Sequence, residues 1–145
     1  KPYEVQYSSE ALFIRKGKVR IDFYTEQKEY LSSEILTSGD VVLLSRGGHG
    51  FEMVEDSEII EVKQGKLFVA GAKIEKKFIG EVTALNSAEM KRLRGRDANA
   101  IAFTEVRFWV KGGVKVEVND PNDPVPYWLI SSKNTEKLVS AINKL

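Results

Sequence analysis

The side chains best placed to bind an anion form one dense run, Lys91, Arg92, Arg94 and Arg96, with Lys76 and Lys77 further back. Clustered ammonium and guanidinium groups can hold a phosphate, an anionic headgroup or a nucleic acid. Glu89 and Asp97 dilute this charge, and the aromatic interleaving used by single-strand binders is missing. A solvated helix face is therefore the plainer expectation. Weak binding to an anionic surface is the sharper one, and nucleic acid is not an expected partner. His49 is the only histidine and there is no cysteine. Thiolate chemistry, disulfides and Cys-built zinc sites are excluded, and any His-dependent triad rests on His49 alone. Neither a Gly-x-Ser-x-Gly elbow nor a phosphate-binding Gly-x-x-x-x-Gly-Lys loop occurs. The acids Glu52, Glu55, Asp56, Glu58 and Glu61 read as a solvated face. Three large aromatics, Trp109, Tyr127 and Trp128, could form a recognition surface. The plainer expectation is that the rigid Asp120 to Pro126 connector feeds Tyr127 and Trp128 into a core strand.

The elements that must position these residues are mostly strands. Period-two alternation dominates the first half: Val19, Ile21 and Phe23 share one face, Arg20, Asp22 and Tyr24 the other. Ala11 to Ile14, Tyr30 to Leu36, Val41 to Leu44, Phe51 to Val54 and Glu58 to Lys63 complete six short strands, with a tight turn at Lys16-Gly17-Lys18. Val41-Val42-Leu43-Leu44 reads as buried on both faces. Arg46-Gly47-Gly48-His49-Gly50 reads as a glycine-rich loop. In the second half, strands are predicted at Leu67 to Ala70, Phe78 to Thr83, Ala102 to Val110, around Val114, Val116 and Val118, and at Tyr127 to Ile130. Ser87 is the expected N-cap of a helix over Ala88 to Arg94 that stops at Gly95. From about Asn134 the stripe Leu138, Val139, Ile142, Leu145 predicts a C-terminal helix.

The chain has 145 residues, 42% hydrophobic and 30% charged, with a net charge of +1. Residues 1–65 carry 8 Lys and Arg against 12 Asp and Glu, whereas residues 66–145 carry 14 against 9. The near-neutral whole thus hides an acidic half and a basic half, with the change near Lys63-Gln64-Gly65. No run approaches the ~20 apolar residues that span a bilayer, and the first residues lack a signal-peptide pattern. The expectation is a cytoplasmic, mainly β protein: a composite β-barrel or sandwich with a short helix near 88–94 and a C-terminal helix. Its remaining open edges would be covered by homodimerisation.

Gly39-Asp40-Val41-Val42-Leu43-Leu44-Ser45-Arg46-Gly47-Gly48-His49, with Glu10 separated from Gly17 by six residues, resembles the conserved motifs of small bacterial cupin-like proteins over about residues 10–65. The resemblance implies that His49 is delivered into a barrel mouth beside Glu10. A metal-binding cupin has His-x-His where this chain has Glu4 and Gln6. A Mn or Fe site would therefore rest on Glu4, Glu10 and His49, a poor substitute for imidazoles, and no cofactor is expected. Phe78-Ile79-Gly80-Glu81-Val82, Arg107-Phe108-Trp109-Val110 and Asp120-Pro121-Asn122-Asp123-Pro124-Val125-Pro126-Tyr127-Trp128-Leu129-Ile130-Ser131 resemble the soluble, pleckstrin-homology-like part of an actinobacterial membrane-protein family of unknown function. Members of that family carry transmembrane helices upstream, where this chain has cupin-like sequence. Two incomplete parts, 1–65 and 66–145, imply a chimera with one shared core and no evolved catalytic activity. The alternatives are a small-ligand or anion-binding module and a metal-dependent cupin enzyme.

Overall fold

The computed structural model describes the backbone of residues 4–5 and 9–145 and the side chains of residues 9–145. The chain divides into two compact units, Lys1–Gln64 and Gly65–Leu145. It is mainly β, and its sheets are open rather than closed into a barrel.

Unit 1 contains β1 (Glu4–Val5), β2 (Glu10–Lys16), β3 (Lys18–Tyr24), β4 (Tyr30–Thr37), β5 (Val41–Leu44), β6 (Gly48–Met53) and β7 (Glu58–Lys63). One sheet runs β1-β6-β3-β4 and the other includes β5-β2-β7, with every pairing among these strands antiparallel. The two sheets pack face to face: Leu12, Val42, Leu44 and Ile59 from one meet Ile21, Phe23, Leu36 and Phe51 from the other. This is the sandwich alternative of the expected fold, and the alternation on β3 supplies one of its inner faces. Gly17 links them at φ +83°, and a Cβ there would lie 2.3 Å from the Asp56 carbonyl oxygen, so both backbone shape and close approach require glycine.

Two readings of unit 1 are corrected. β5 is not buried on both faces, because it pairs with β2 at the end of its sheet and leaves Leu43 75% exposed. An apolar run fits a two-sided burial only if neighbours exist on both faces, and pattern alone does not reveal that. Gly48, His49 and Gly50 are not a loop but the start of β6, held by ladders to β1 and β3. Both flanking strands supply backbone partners, which overrides the low strand preference of glycine.

Unit 2 opens with a hairpin, β8 (Lys66–Val69) and β9 (Ala72–Glu75), the second of which the sequence reading missed. Its two-residue turn, Ala70-Gly71, has φ of +48° and +80°, the twist that a tight antiparallel hairpin needs. A sheet follows in the order β10 (Ile79–Leu85), β12 (Gly113–Val118), β13 (Tyr127–Ser131), β11 (Phe103–Glu105), with β11 parallel to β13. Helix α1 (Ser87–Arg94) packs Met90 and Leu93 on Leu85, Tyr127 and Leu129. Gly113 makes this possible, since a Cβ there would lie 2.5 Å from the Met90 sulfur. Helix α2 (Thr135–Asn143) buries Leu138 and Ile142 and lies against β10 and β12.

Here too the structure corrects details. The long strand expected over Ala102 to Val110 ends at Glu105, because the chain turns at 107–110 with the Val110 amide donating to the Arg107 carbonyl at 3.0 Å. The N-cap of α1 is Asn86, not Ser87: its side chain accepts from the Glu89 amide and the Glu89 carboxylate accepts from the Asn86 amide, a reciprocal capping box. Gly95 ends α1 at φ −120°, outside the left-handed region expected of a glycine stop.

The contrast between Leu12 and Leu43 is a direct check on the sandwich. Leu12→Ala is expected to lower unfolding free energy by about 2–5 kcal/mol in urea titration, and Leu43→Ala by no more than about 0.5. Equal losses would show that the sheets do not pack as described.

Candidate functional site

Glu10 begins β2 on its inward face, two residues before Leu12, and sits directly opposite Lys63 of β7 and Leu44 of β5. His49 lies on the inward face of β6 beside Phe51, with ring centroids 5.0 Å apart. The two sheets therefore bring an acid and an imidazole together at one end of an otherwise apolar sandwich. His49 Nε2 is 3.6 Å and Lys63 Nζ 3.4 Å from the Glu10 carboxylate, and Lys63 Nζ reaches Glu61 at 3.0 Å. Glu10 is only 2% exposed, and neither carboxylate oxygen has a hydrogen bond among the described residues. Lys63 and Glu61 are half-buried and open this end to solvent.

Desolvating a carboxylate carries a penalty of several kcal/mol unless opposite charge and hydrogen bonds offset it. At Glu10 the charge is present, but among the described residues its contacts, Lys63 Nζ at 3.4 Å and His49 Nε2 at 3.6 Å, are longer than well-formed hydrogen bonds. Burial pushes the Lys63 ammonium down. Its hydrogen bond and ion pair with Glu61, together with the charge of Glu10, outweigh that, so the net shift is upward. Lys63 therefore stays cationic throughout the physiological range.

Of the expected metal set, the structure brings Glu10 and His49 side by side. Glu4 is opposite His49 in the β1–β6 register, and its side chain lies outside the described residues. Among the described residues no group of three His, Asp or Glu side chains could hold a metal ion. The picture of His49 as a turn residue is replaced by a buried strand histidine. Lys63 was missed as a site residue. Its signal was the alternation of Glu61 and Lys63 on β7, which repeats the inward face of β2.

The other candidates are scattered. Lys91, Arg92, Arg94 and Arg96 are all exposed on or just after α1, and Arg92 and Arg96 both pair with Asp97, at 2.9 and 3.4 Å. Trp109, Tyr127 and Trp128 do not share a surface. Tyr127 lies in the Leu85–Met90–Leu129 core and Trp128 packs on Phe103 with ring centroids 4.5 Å apart, while Trp109 is 43% exposed in the 107–110 turn. The proline-rich connector thus feeds a fully buried strand, because Val116 and Glu117 of β12 fix Trp128 and Tyr127 in register.

An open β sandwich with a buried acid–imidazole–ammonium cluster, followed by a β sheet that carries two helices, is the class of protein described here. The chain belongs to the family described as "Protein of unknown function (DUF3093)", which matches residues 37–142. The matched span takes in His49, Lys63 and nearly all of unit 2, and begins after Glu10. No curated protein and no solved structure matches the chain. Among the described residues no helix is long and apolar enough to cross a membrane.

The raised folded value of Lys63 sets the sign of a pH test. Its charge stabilises the fold fully below the unfolded value of 10.5, and that contribution disappears as pH rises through the higher folded value. The stability difference between wild type and Lys63→Met, from urea midpoints, should hold steady up to about pH 9 and shrink above 10.5. A difference that grows with alkalinity contradicts the arrangement.

Proposed function

We propose that the protein is a non-catalytic binding module that takes a small, polyhydroxylated, carbohydrate-like ligand at the Glu10 end of unit 1. The observation that carries this reading is the Glu10 carboxylate, buried to 2% exposure with both oxygens short of hydrogen-bond donors among the described residues. Adjacent hydroxyls on a sugar or polyol supply two donors at the spacing of a carboxylate's oxygens. Lys63, held protonated, can donate to a ligand oxygen but cannot serve as base or nucleophile near neutral pH, which favours holding a ligand over transforming it. In this reading the ligand enters where the Lys63 and Glu61 side chains, 18% and 29% exposed, meet solvent.

The test is a panel of monosaccharides and inositol at about 10 mM, read by melting temperature and by the imidazole resonances of His49. A ligand at tenfold its dissociation constant should stabilise the fold by about 1.4 kcal/mol. Glu10→Gln should abolish that shift while changing the stability of the free protein by less than about 1 kcal/mol, because Lys63 keeps Glu61 as a partner at 3.0 Å. Absence of any shift across the panel, or a shift retained in Glu10→Gln, removes the reading.

One observation favours a second reading. Glu4 stands opposite His49 in the register of the β1–β6 ladder, so a Mn, Fe or Zn ion held by Glu4, Glu10 and His49 is the metal-dependent alternative. Stoichiometric metal in the purified protein, and a melting temperature that falls on chelation, would select it.

A further inference from the structure

We propose that the tip formed by Phe108 and Trp109, with Lys111 and Lys133 beside it, docks unit 2 onto an anionic lipid surface. The central positions of a tight turn usually hold Gly, Asn, Asp or Pro. The turn at 107–110, closed by the Val110 amide on the Arg107 carbonyl at 3.0 Å, instead holds the two aromatics there. Phe108 is 81% and Trp109 43% exposed, and their rings stand edge-on at 5.1 Å and 88°. The tip is anchored rather than loose. Val110 is buried, the Arg107 amide donates to Ser131 Oγ at 2.9 Å, and the Ser132 amide donates to the Gly112 carbonyl at 3.1 Å.

Those same bonds place Lys133 next to Lys111 at one end of the sheet, where Gly113 pairs with both Leu85 and Ser131. Both lysines are exposed. Arg107 is already paired with Glu105 at 3.1 Å and contributes less. Area and charge decide the occupant. Two aromatic side chains offer at most about 500 Å², against roughly 800 Å² per partner in a stable protein interface. A projecting tryptophan and phenylalanine flanked by lysines fit the headgroup region, where the rings enter the interface and the ammonium groups meet anionic phosphates.

The experiment is co-sedimentation of the full chain with vesicles of phosphatidylcholine alone and with 30% phosphatidylserine or phosphatidylglycerol, alongside tryptophan quenching by brominated lipid. Binding is expected only to the anionic vesicles, falling with salt. Quenching should vanish in Trp109→Phe, since Trp128, the other tryptophan, is only 5% exposed. Phe108→Ser with Trp109→Ser should weaken binding at least tenfold, and Lys111→Glu with Lys133→Glu by a similar factor, at roughly fivefold or more per lysine. Free inorganic phosphate at 10 mM should not compete. No binding to either vesicle overturns the proposal. So does binding that survives the tip variant but is lost in Lys91→Glu with Arg94→Glu, which would move the contact to α1. Tip-dependent self-association without vesicle binding overturns it as well.

Discussion

The cluster in unit 1 depends on the register of β2, a strand whose residues from Glu10 to Arg15 are buried on both faces. Glu10, Leu12 and Ile14 share one face, and Leu12 packs that face against Ile21 of the other sheet. A period-two strand cannot bury Leu12 and leave Glu10 outside when the strand is straight and both neighbours are present. The carboxylate is therefore carried in with the core, and the positions that face it answer with charge. Lys63 stands opposite it in the same sheet and His49 reaches it from the other. A slip of one residue in the β2–β7 register would take Glu10 away from Lys63 and, in one direction, set it opposite an apolar neighbour. Core and cluster are thus fixed by the same hydrogen-bond ladder.

How much of this could be read from the residues depended on whether the signal was local. The strands of unit 1 were legible because alternation and turn residues are local. So was the pairing of Glu10 with His49, through the motif resemblance. Lys63 was not, since its role appears only once β7 is laid antiparallel to β2. Leu43 went wrong for the same reason: an apolar run states that neighbours are wanted, not that they exist. In unit 2, Phe103 to Glu105 reads as the start of a long strand, and only the turn at 107–110, with buried Val110 as its anchor, shows where it stops. Tyr127 and Trp128 were legible as residues of a core strand fed by the proline-rich connector, and they are buried by Met90 and Leu85 on one side and by Phe103 on the other.

The two units solve different problems. Unit 1 holds a desolvated acid, a costly arrangement that a stability-driven sequence would replace with a hydrocarbon side chain. Unit 2 buries its aromatics on β13 and leaves two others on a short anchored turn, where exposure has no structural benefit. The change from an acidic to a basic stretch of sequence falls at the division between the units. Each unit has an apolar cluster of its own, around Leu12 and Ile21 in the first and around Met90 and Leu129 in the second. The family match spans the division, from residue 37 to residue 142, so family membership is not a property of unit 2 alone.

The central claim is that the buried Glu10 carboxylate has no close hydrogen-bond donor among the described residues. A crystal structure at better than about 1.2 Å tests it most directly, because bound solvent and its contacts are then visible. The expected result is Glu10 at the inner end of β2, its oxygens contacted by ordered water or a bound polyol and not by protein amides or hydroxyls. A Glu10 side chain swung out to solvent, or fully hydrogen-bonded by the protein itself, would contradict it.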